Sequence, residues 1–145
     1  MLDPNDITQE SYQNIIKGLG QVARDPNEVA DQLRKISALY GYYYGIMIKA
    51  KRLLDNAEGL LESFKASSRN TKREEGVPSN QRRLTAVAAD DYVNSLEETE
   101  KLNQEVLRLK ECYGYAKGIC GTLEMKKDML VQLSANSRQE SKLYQ

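Results

Sequence analysis

The hydrophobic positions of this chain follow a helical period over most of its length. The longest series begins at Val29 and alternates steps of four and three residues as far as Phe64. Such a heptad pattern is typical of a helix that packs along a partner helix, and its period of 3.5 residues predicts a left-handed supercoil. The positions of this first seam are Val29, Leu33, Ile36, Tyr40, Tyr43, Met47, Ala50, Leu54, Ala57, Leu61 and Phe64.

A second seam occupies the C-terminal half of the chain. Lys127 interrupts it, which predicts a change of packing there, and the pattern is lost after Ser134, where we expect fraying. The simplest arrangement folds this second helix back along the first as an antiparallel hairpin. The second seam consists of Leu102, Val106, Leu109, Tyr113, Ala116, Cys120, Leu123 and Leu130.

Two helix starts are visible before the first seam. Asp25 is a capping residue, Pro26 suits the first helical position, and Glu28 stands where a capping-box acid belongs. Upstream, Asp6 is expected to cap a short helix. The apolar positions of that helix share one face and are Tyr12, Ile15, Ile16 and Leu19.

These patterns predict an all-α protein. Residues 1–24 form an N-terminal helix or arm, and residues 25–145 form a long helical hairpin with coiled-coil seams. The hairpin is predicted as a helix at 26–66, a hinge at 65–83, and a helix at 84–134 with a frayed C-terminus. A helix of about 40 residues is roughly 60 Å long, more than a monomeric domain of this length is expected to cover, so we predict an oligomer.

Composition narrows the class of protein. The 145 residues include 21 basic and 21 acidic residues, no His and two Cys. Cys112 and Cys120 lie about 12 Å apart along a helix and cannot bridge within it, which favours a reducing compartment. No apolar run approaches the roughly 20 residues of a membrane span, and no signal peptide is recognised. We therefore expect a cytoplasmic protein without a membrane association.

Glycine and tyrosine recur together inside both helices. Each interior glycine costs about 1 kcal/mol relative to alanine, so we expect close helix approach at these positions. Tyr42 and Tyr44 lie off the first seam and are candidates for an interface. The glycines are Gly41, Gly45, Gly114, Gly118 and Gly121.

The hinge at residues 65–83 is strongly basic. The segment contains six basic residues and two acidic ones, Glu74 and Glu75, so its net charge is +4 in a neutral chain. Two interpretations stay open, an ordinary solvated loop and a phosphate-binding tip, and the hinge has no aromatic residue for base stacking. The six are Lys65, Arg69, Lys72, Arg73, Arg82 and Arg83, and a secondary basic surface comprises Lys49, Lys51 and Arg52.

An acidic block follows the hinge. Paired carboxylates can bind metals or act as acid and base, but no His is present to assist them. We interpret the block as a solvated face near a helix N-terminus, or as a surface that docks on the basic residues of a neighbouring protomer or partner. With no catalytic, cofactor or metal signature, the chain is predicted to be a binding protein rather than an enzyme. The block consists of Asp90, Asp91, Glu97, Glu98 and Glu100.

Three stretches of the chain resemble the UvsY-type recombination mediators of tailed phages. Residues 64–69 (FKASSR) are similar to the family's apolar-Lys-Ala-Arg stretch, and residues 84–93 (LTAVAADDYV) to the beginning of its second helix. Residues 115–118 (YAKG) through 129–133 (MLVQL) resemble its C-terminal helix. The chain departs from the pattern at Ser67, where the family has Arg, so Arg69 is a displaced substitute while Lys65 carries over.

The resemblance implies a function. It suggests a ring-shaped homo-oligomer that binds single-stranded DNA and helps load a RecA-like recombinase in place of single-strand-binding protein, in the host cytoplasm of a phage. Roles in DNA recombination and DNA repair follow from that reading. The alternative is a structural or assembly coiled-coil scaffold or adaptor with no nucleic-acid role, whose basic hinge would meet an acidic protein partner.

Overall fold

The computed structural model of this chain describes residues 3, 7–23, 25–75 and 85–144, and these contain four helices and no strand. The helices are α1 (Gln9–Leu19), α2 (Pro26–Glu75), α3 (Ala86–Ser95) and α4 (Glu97–Leu143). The all-α prediction is confirmed. Within the described ranges, no helix combines the length and apolar character that crossing a membrane requires.

α1 begins at a capping box formed by Thr8 and Ser11. The Thr8 hydroxyl accepts from the Ser11 N–H at 3.2 Å, and the Ser11 hydroxyl accepts from the Thr8 N–H at 2.9 Å. Thr8 is therefore the N-cap of this helix, and Asp6, the residue predicted to cap it, lies outside the described residues. The predicted apolar face is confirmed, since Tyr12, Ile15, Ile16 and Leu19 pack against the buried core.

α2 begins as predicted and ends later than predicted. The Asp25 carboxylate accepts from the N–H groups of Asn27 and Glu28 at 2.9 Å, and Pro26 is the first helical residue. The helix continues to Glu75, so residues 65–75 are helical rather than part of a hinge. This stretch is rich in helix-forming residues and lacks Gly and Pro until Gly76. Lys72 and Arg73 in the last turn also interact favourably with the helix dipole.

The single helix predicted over residues 84–134 is two helices separated at Leu96. Thr85 caps α3, with its hydroxyl accepting from the Ala88 N–H at 3.2 Å, and Leu96 then takes an extended conformation. The residues before the break, from Asp90 to Ser95, are mostly modest helix formers, which explains the interruption. α4 runs on to Leu143 instead of fraying after Ser134, because its last turns contain no Gly or Pro.

The helices contribute to two compact units, residues 1–50 with 112–145 and residues 51–111. In the first unit, the start of α2 pairs with the C-terminal half of α4, and the Tyr40 hydroxyl donates to Glu124 Oε1 at 2.8 Å. The paired helices run antiparallel, since Val29 of α2 lies beside Leu133 and Ser137 of α4. The buried core of this unit consists of Ile7, Val29, Ile36, Tyr43, Ile46, Ala116, Ile119, Cys120, Leu123 and Leu130.

α1 lies against α4 in the same unit. The rings of Tyr12 and Tyr115 are 5.2 Å apart between centroids, and the Cys112 thiol lies 3.9 Å from the Ile7 carbonyl oxygen. After the end of α1, the Lys126 ammonium donates to the Gln21 carbonyl at 3.2 Å. The N-terminal arm is thus packed on the body of this unit.

The second unit joins parts of α2 and α4 with all of α3. The Lys110 ammonium of α4 lies 3.3 Å from Glu58 Oε1 of α2, and Arg69, farther along α2, meets Asp90 of α3. One polar residue, Thr99, is buried among the apolar side chains. The buried side chains of the unit are Leu54, Ala57, Leu61, Ala89, Val93, Thr99, Val106 and Leu109.

Both predicted seams are buried within this one chain. All eleven positions of the first seam are buried or half-buried, and so are the eight positions of the second, while Lys127 is exposed. The seams therefore do not by themselves require a second copy of the chain. The supercoil and the oligomer remain predictions.

The prediction of close helix approach at the five glycines holds at only one of them. A Cβ atom added at Gly118 would lie 3.0 Å from the Tyr12 ring, whereas one added at Gly41, Gly45, Gly114 or Gly121 would meet no described atom within 4 Å. These four glycines therefore do not make a close approach to a described neighbouring helix. Tyr42 and Tyr44, beside two of these glycines, are exposed as predicted for off-seam positions.

We expect Gly41→Ala and Gly45→Ala each to raise the free energy of unfolding by up to about 1 kcal/mol. Alanine reduces the conformational entropy of the unfolded chain, and its Cβ atom meets no neighbour in the folded helix. Urea denaturation followed by circular dichroism measures the change. Gly59→Ala, at an equally open position of α2, is the matched control. Destabilisation at Gly41 and Gly45 but not at Gly59 would contradict this and would indicate that a partner helix covers them.

Candidate nucleic-acid interface

Four of the six predicted basic residues lie on the last three turns of α2. Lys65, Arg69, Lys72 and Arg73 are spaced by four and three residues, which places them along one side of the helix, and all four are half-buried. We call this set the basic helix end. Arg82 and Arg83 lie outside the described residues.

The acidic helix α3 contacts the basic helix end through an ion pair. Arg69 Nε lies 2.5 Å from Asp90 Oδ1, and the two side chains are 39% and 46% exposed. The two atoms are shielded from solvent but lack hydrogen-bond alignment, so their attraction is electrostatic. At this exposure the pair contributes at most about 1 kcal/mol. The ion pair therefore fixes the position of the Arg69 guanidinium and adds little to the stability of the fold.

An aromatic ring from α3 meets the next basic residue. The Lys72 ammonium lies 4.5 Å from the centroid of the Tyr92 ring, within the range of a cation–π contact. Tyr92 is 38% exposed, so part of its ring is open to solvent. An aromatic residue therefore lies beside the basic residues, although the hinge sequence itself contains none.

α3 is held in its unit by apolar burial and by one buried hydrogen bond. Ala89 and Val93 are almost fully buried, and the Thr99 hydroxyl, itself 1% exposed, donates to the Val93 carbonyl at 2.7 Å. Because Thr99 belongs to the first turn of α4, this bond ties the two helices together across the break at Leu96. The burial of Val93 leaves its neighbour Tyr92 on the outer side of α3.

The other two residues of the basic helix end remain available to a ligand. Neither Lys65 nor Arg73 has an ion-pair partner among the described residues. The Thr71 hydroxyl donates to the Ser67 carbonyl of its own helix at 3.0 Å and is therefore engaged already. Phosphate contact at this surface would thus depend on the basic side chains themselves.

The secondary basic surface lies apart from the basic helix end. Lys49, Lys51 and Arg52 are exposed on α2, and the Lys51 ammonium contacts Asp55 at 2.6 Å. Arg52 precedes Lys65 by 13 residues, about 20 Å along a helix. These residues therefore do not form one site with the basic helix end.

The acidic block divides between two helices. Glu97, Glu98 and Glu100 lie in the first turn of α4, as predicted for acids near a helix N-terminus. Asp90 pairs with a basic residue of its own chain, whereas the two sequence interpretations were a solvated face and a contact with a neighbouring protomer or partner. The described part of the chain contains no cluster of three or more candidate metal ligands.

Among the described residues, most titratable groups with a perturbed pKa lie in the first unit. Glu105 of the second unit differs, since its hydrogen bond from Arg108 lowers the pKa of its carboxyl group. Burial raises the pKa of the Cys120 thiol, which lowers its thiolate fraction at neutral pH. The hydrogen bond to Glu124 raises the pKa of Tyr40, because ionisation would leave two negative charges in contact. Burial lowers the pKa of Lys126. These shifts follow from packing, and none belongs to the basic helix end.

Neither models of known protein families, nor curated proteins, nor solved structures give a match to this chain. The function must therefore be argued from the residues of the chain and their geometry.

The sequence analysis did not identify Tyr92, which lies on this surface, or the buried Thr99, which holds α3 in place. Tyr92 lies 20 residues after Lys72, and only the return of the chain through α3 brings them together. The break that positions α3 does have a sequence signal. Ser95 followed three residues later by Glu98 matches a capping-box pattern, which marks a helix start close to Glu97.

We expect Thr99→Val to loosen α3 by removing the buried hydrogen bond to Val93, at a cost of about 1 kcal/mol. Hydrogen exchange of the α3 amides should accelerate roughly fivefold, since that free energy corresponds to such a factor. Thr122→Val is the matched control, because the Thr122 hydroxyl donates within its own helix to Gly118. Unchanged exchange in α3, or equal effects of both variants, would contradict the role of Thr99.

Proposed function

We propose that this protein is a non-catalytic recombination mediator that binds single-stranded DNA through the basic helix end. The observation that carries the proposal is the alignment of Lys65, Arg69, Lys72 and Arg73 along one side of α2. Such a row of cations suits a phosphate backbone, whose neutralisation releases counterions and supplies sequence-independent affinity. The resemblance of residues 64–69 to the UvsY-type stretch supports the same surface.

The chemistry of each side chain supports phosphate contact. Arg69 meets Asp90 through Nε, and a guanidinium has five N–H donors, so the donors on its two Nη atoms can serve a phosphate. Lys65 and Arg73 add two further cations. Because the C-terminal end of a helix carries a partial negative charge, the backbone does not attract the anion there. The side chains must therefore supply the affinity.

Oligomerisation would increase the DNA affinity of the basic helix end, whose charge in one copy is modest. Several copies arranged in a ring would join their basic helix ends into a continuous belt, along which a strand could be held or wrapped. Such binding would weaken the binding of single-strand-binding protein to the strand and make the strand accessible to a RecA-like recombinase. This mechanism needs no cofactor and no bond-making step, and we propose that it operates in the cytoplasm.

A second candidate function is a structural scaffold or adaptor with no nucleic-acid role. Exposed apolar side chains on both long helices favour it, among them Leu60, which is 64% exposed, and Leu107, which is 61% exposed. Such side chains commonly contact other proteins when they form a patch. In this case the basic helix end would meet an acidic protein rather than a phosphate backbone.

We expect the parent protein to bind a fluorescent single-stranded oligonucleotide and to lose affinity steeply as salt is added. Fluorescence anisotropy measures both. Four phosphate contacts predict a slope of about −3 in log affinity against log salt, and changing all four residues of the basic helix end to Ala should remove most of this dependence.

Lys117→Ala with Lys127→Ala is a charge-removal control, since both residues are exposed and lie in the other unit. This control should bind as the parent does. Equal binding by the fourfold variant and the parent would overturn the assignment of the surface. No binding by the parent at low salt would overturn the DNA-binding function and favour the scaffold.

A further inference from the structure

We propose that Tyr92 is a nucleobase-stacking residue and makes the basic helix end selective for single strands over duplexes. The inference rests on the proposed function and extends it from phosphate contact to base contact. It begins with the contact between the Lys72 ammonium and the Tyr92 ring, whose centroid is 4.5 Å away. Residues 51–111 contain a single Tyr, so this ring is distinctive within its unit.

The surroundings of Tyr92 leave its ring available. Val93, the next residue, is 1% exposed, whereas Tyr92 is 38% exposed, so the helix buries one neighbour and presents the other. The Tyr92 hydroxyl has no hydrogen-bond partner within the described part of the chain. By contrast, Tyr12, Tyr40, Tyr42 and Tyr44 in the other unit are all in contact with further aromatic rings.

The ring is also held in place before any ligand arrives. Burial of Ala89 and Val93 and the hydrogen bond from Thr99 anchor α3 around it. A stacking residue on an anchored helix loses little conformational freedom on binding, which favours affinity. Lys72 has a flexible stem, so it can turn from the ring to a phosphate while a base takes its place on the ring face.

This arrangement distinguishes single strands from duplexes. A nucleotide whose phosphate contacts Arg69 or Lys72 has its own base within reach of the Tyr92 ring. In a single strand that base is free to stack on an aromatic side chain, whereas in a duplex it is already stacked between neighbours and paired. Phosphate contacts alone do not favour single strands, because a duplex carries at least as much backbone charge per unit length.

The test measures the affinity of Tyr92→Leu for three ligands, an oligothymidine, an abasic strand of equal length and a duplex. Leucine keeps an apolar side chain but removes the aromatic ring. We expect roughly 5- to 150-fold weaker binding of oligothymidine, equivalent to about 1–3 kcal/mol, and unchanged binding of the abasic strand and the duplex. Tyr92→Phe, which keeps the ring, should bind all three as the parent does.

Tyr42→Leu is the matched control, since Tyr42 is also 38% exposed but lies in the other unit, and it should bind as the parent does. Unchanged binding of oligothymidine by Tyr92→Leu, or an equal loss for the abasic strand, would overturn base stacking while leaving phosphate contact intact. A parent that binds neither single strand would overturn the proposed function itself, and this inference with it.

Photo-crosslinking of the parent protein keeps the test independent of how the variants fold. A strand that contains iodouracil should crosslink to Tyr92, as identified by mass spectrometry of the digested complex. Crosslinks found only at other residues would overturn the assignment.

Discussion

The burial of apolar seams along α2 and α4 is the constraint on which the rest of the structure depends. α2 and α4 run antiparallel where they pair in the first unit. The seam positions of both units are buried or half-buried, while most of the intervening side chains are exposed. The same period that buries Leu54, Ala57 and Leu61 presents the basic residues farther along α2 as a row. Without this packing, a row of cations on an isolated helix would have no fixed neighbour.

The break at Leu96 adds the second element of the candidate site. Because the chain leaves the helical conformation there, α3 contributes its own buried residues, Ala89 and Val93, and brings Asp90 and Tyr92 to Arg69 and Lys72. The Asp90 carboxylate fixes the Arg69 guanidinium without using all of the guanidinium's N–H donors, and the Tyr92 ring contacts the Lys72 ammonium. In the proposed function, phosphate contact and base stacking are two parts of one surface, in which neither part requires a large free energy of its own.

Much of the fold follows from sequence, and much of the site does not. Heptad steps identify the seams, and the run from Asp25 to Glu28 identifies the start of α2, because caps and periodicity are local properties. The break at Leu96 was not predicted because no Gly or Pro marks it, and the capping-box pattern of Ser95 and Glu98 is a weaker signal. The end of α2 was misplaced because a concentration of Lys and Arg was interpreted as a hinge, although these residues form helices readily. The contact of Tyr92 with Lys72 forms only because α3 packs against α2, and no local sequence pattern predicts it.

The central claim is that α3 places an aromatic ring on the basic helix end, and nuclear magnetic resonance of the parent protein tests it most directly. We expect nuclear Overhauser contacts between the Tyr92 ring protons and the side-chain methylenes of Lys72. The resonances of those methylenes should also show upfield ring-current shifts. Lys72 methylenes at unperturbed chemical shifts, without any Overhauser contact to Tyr92, would contradict it.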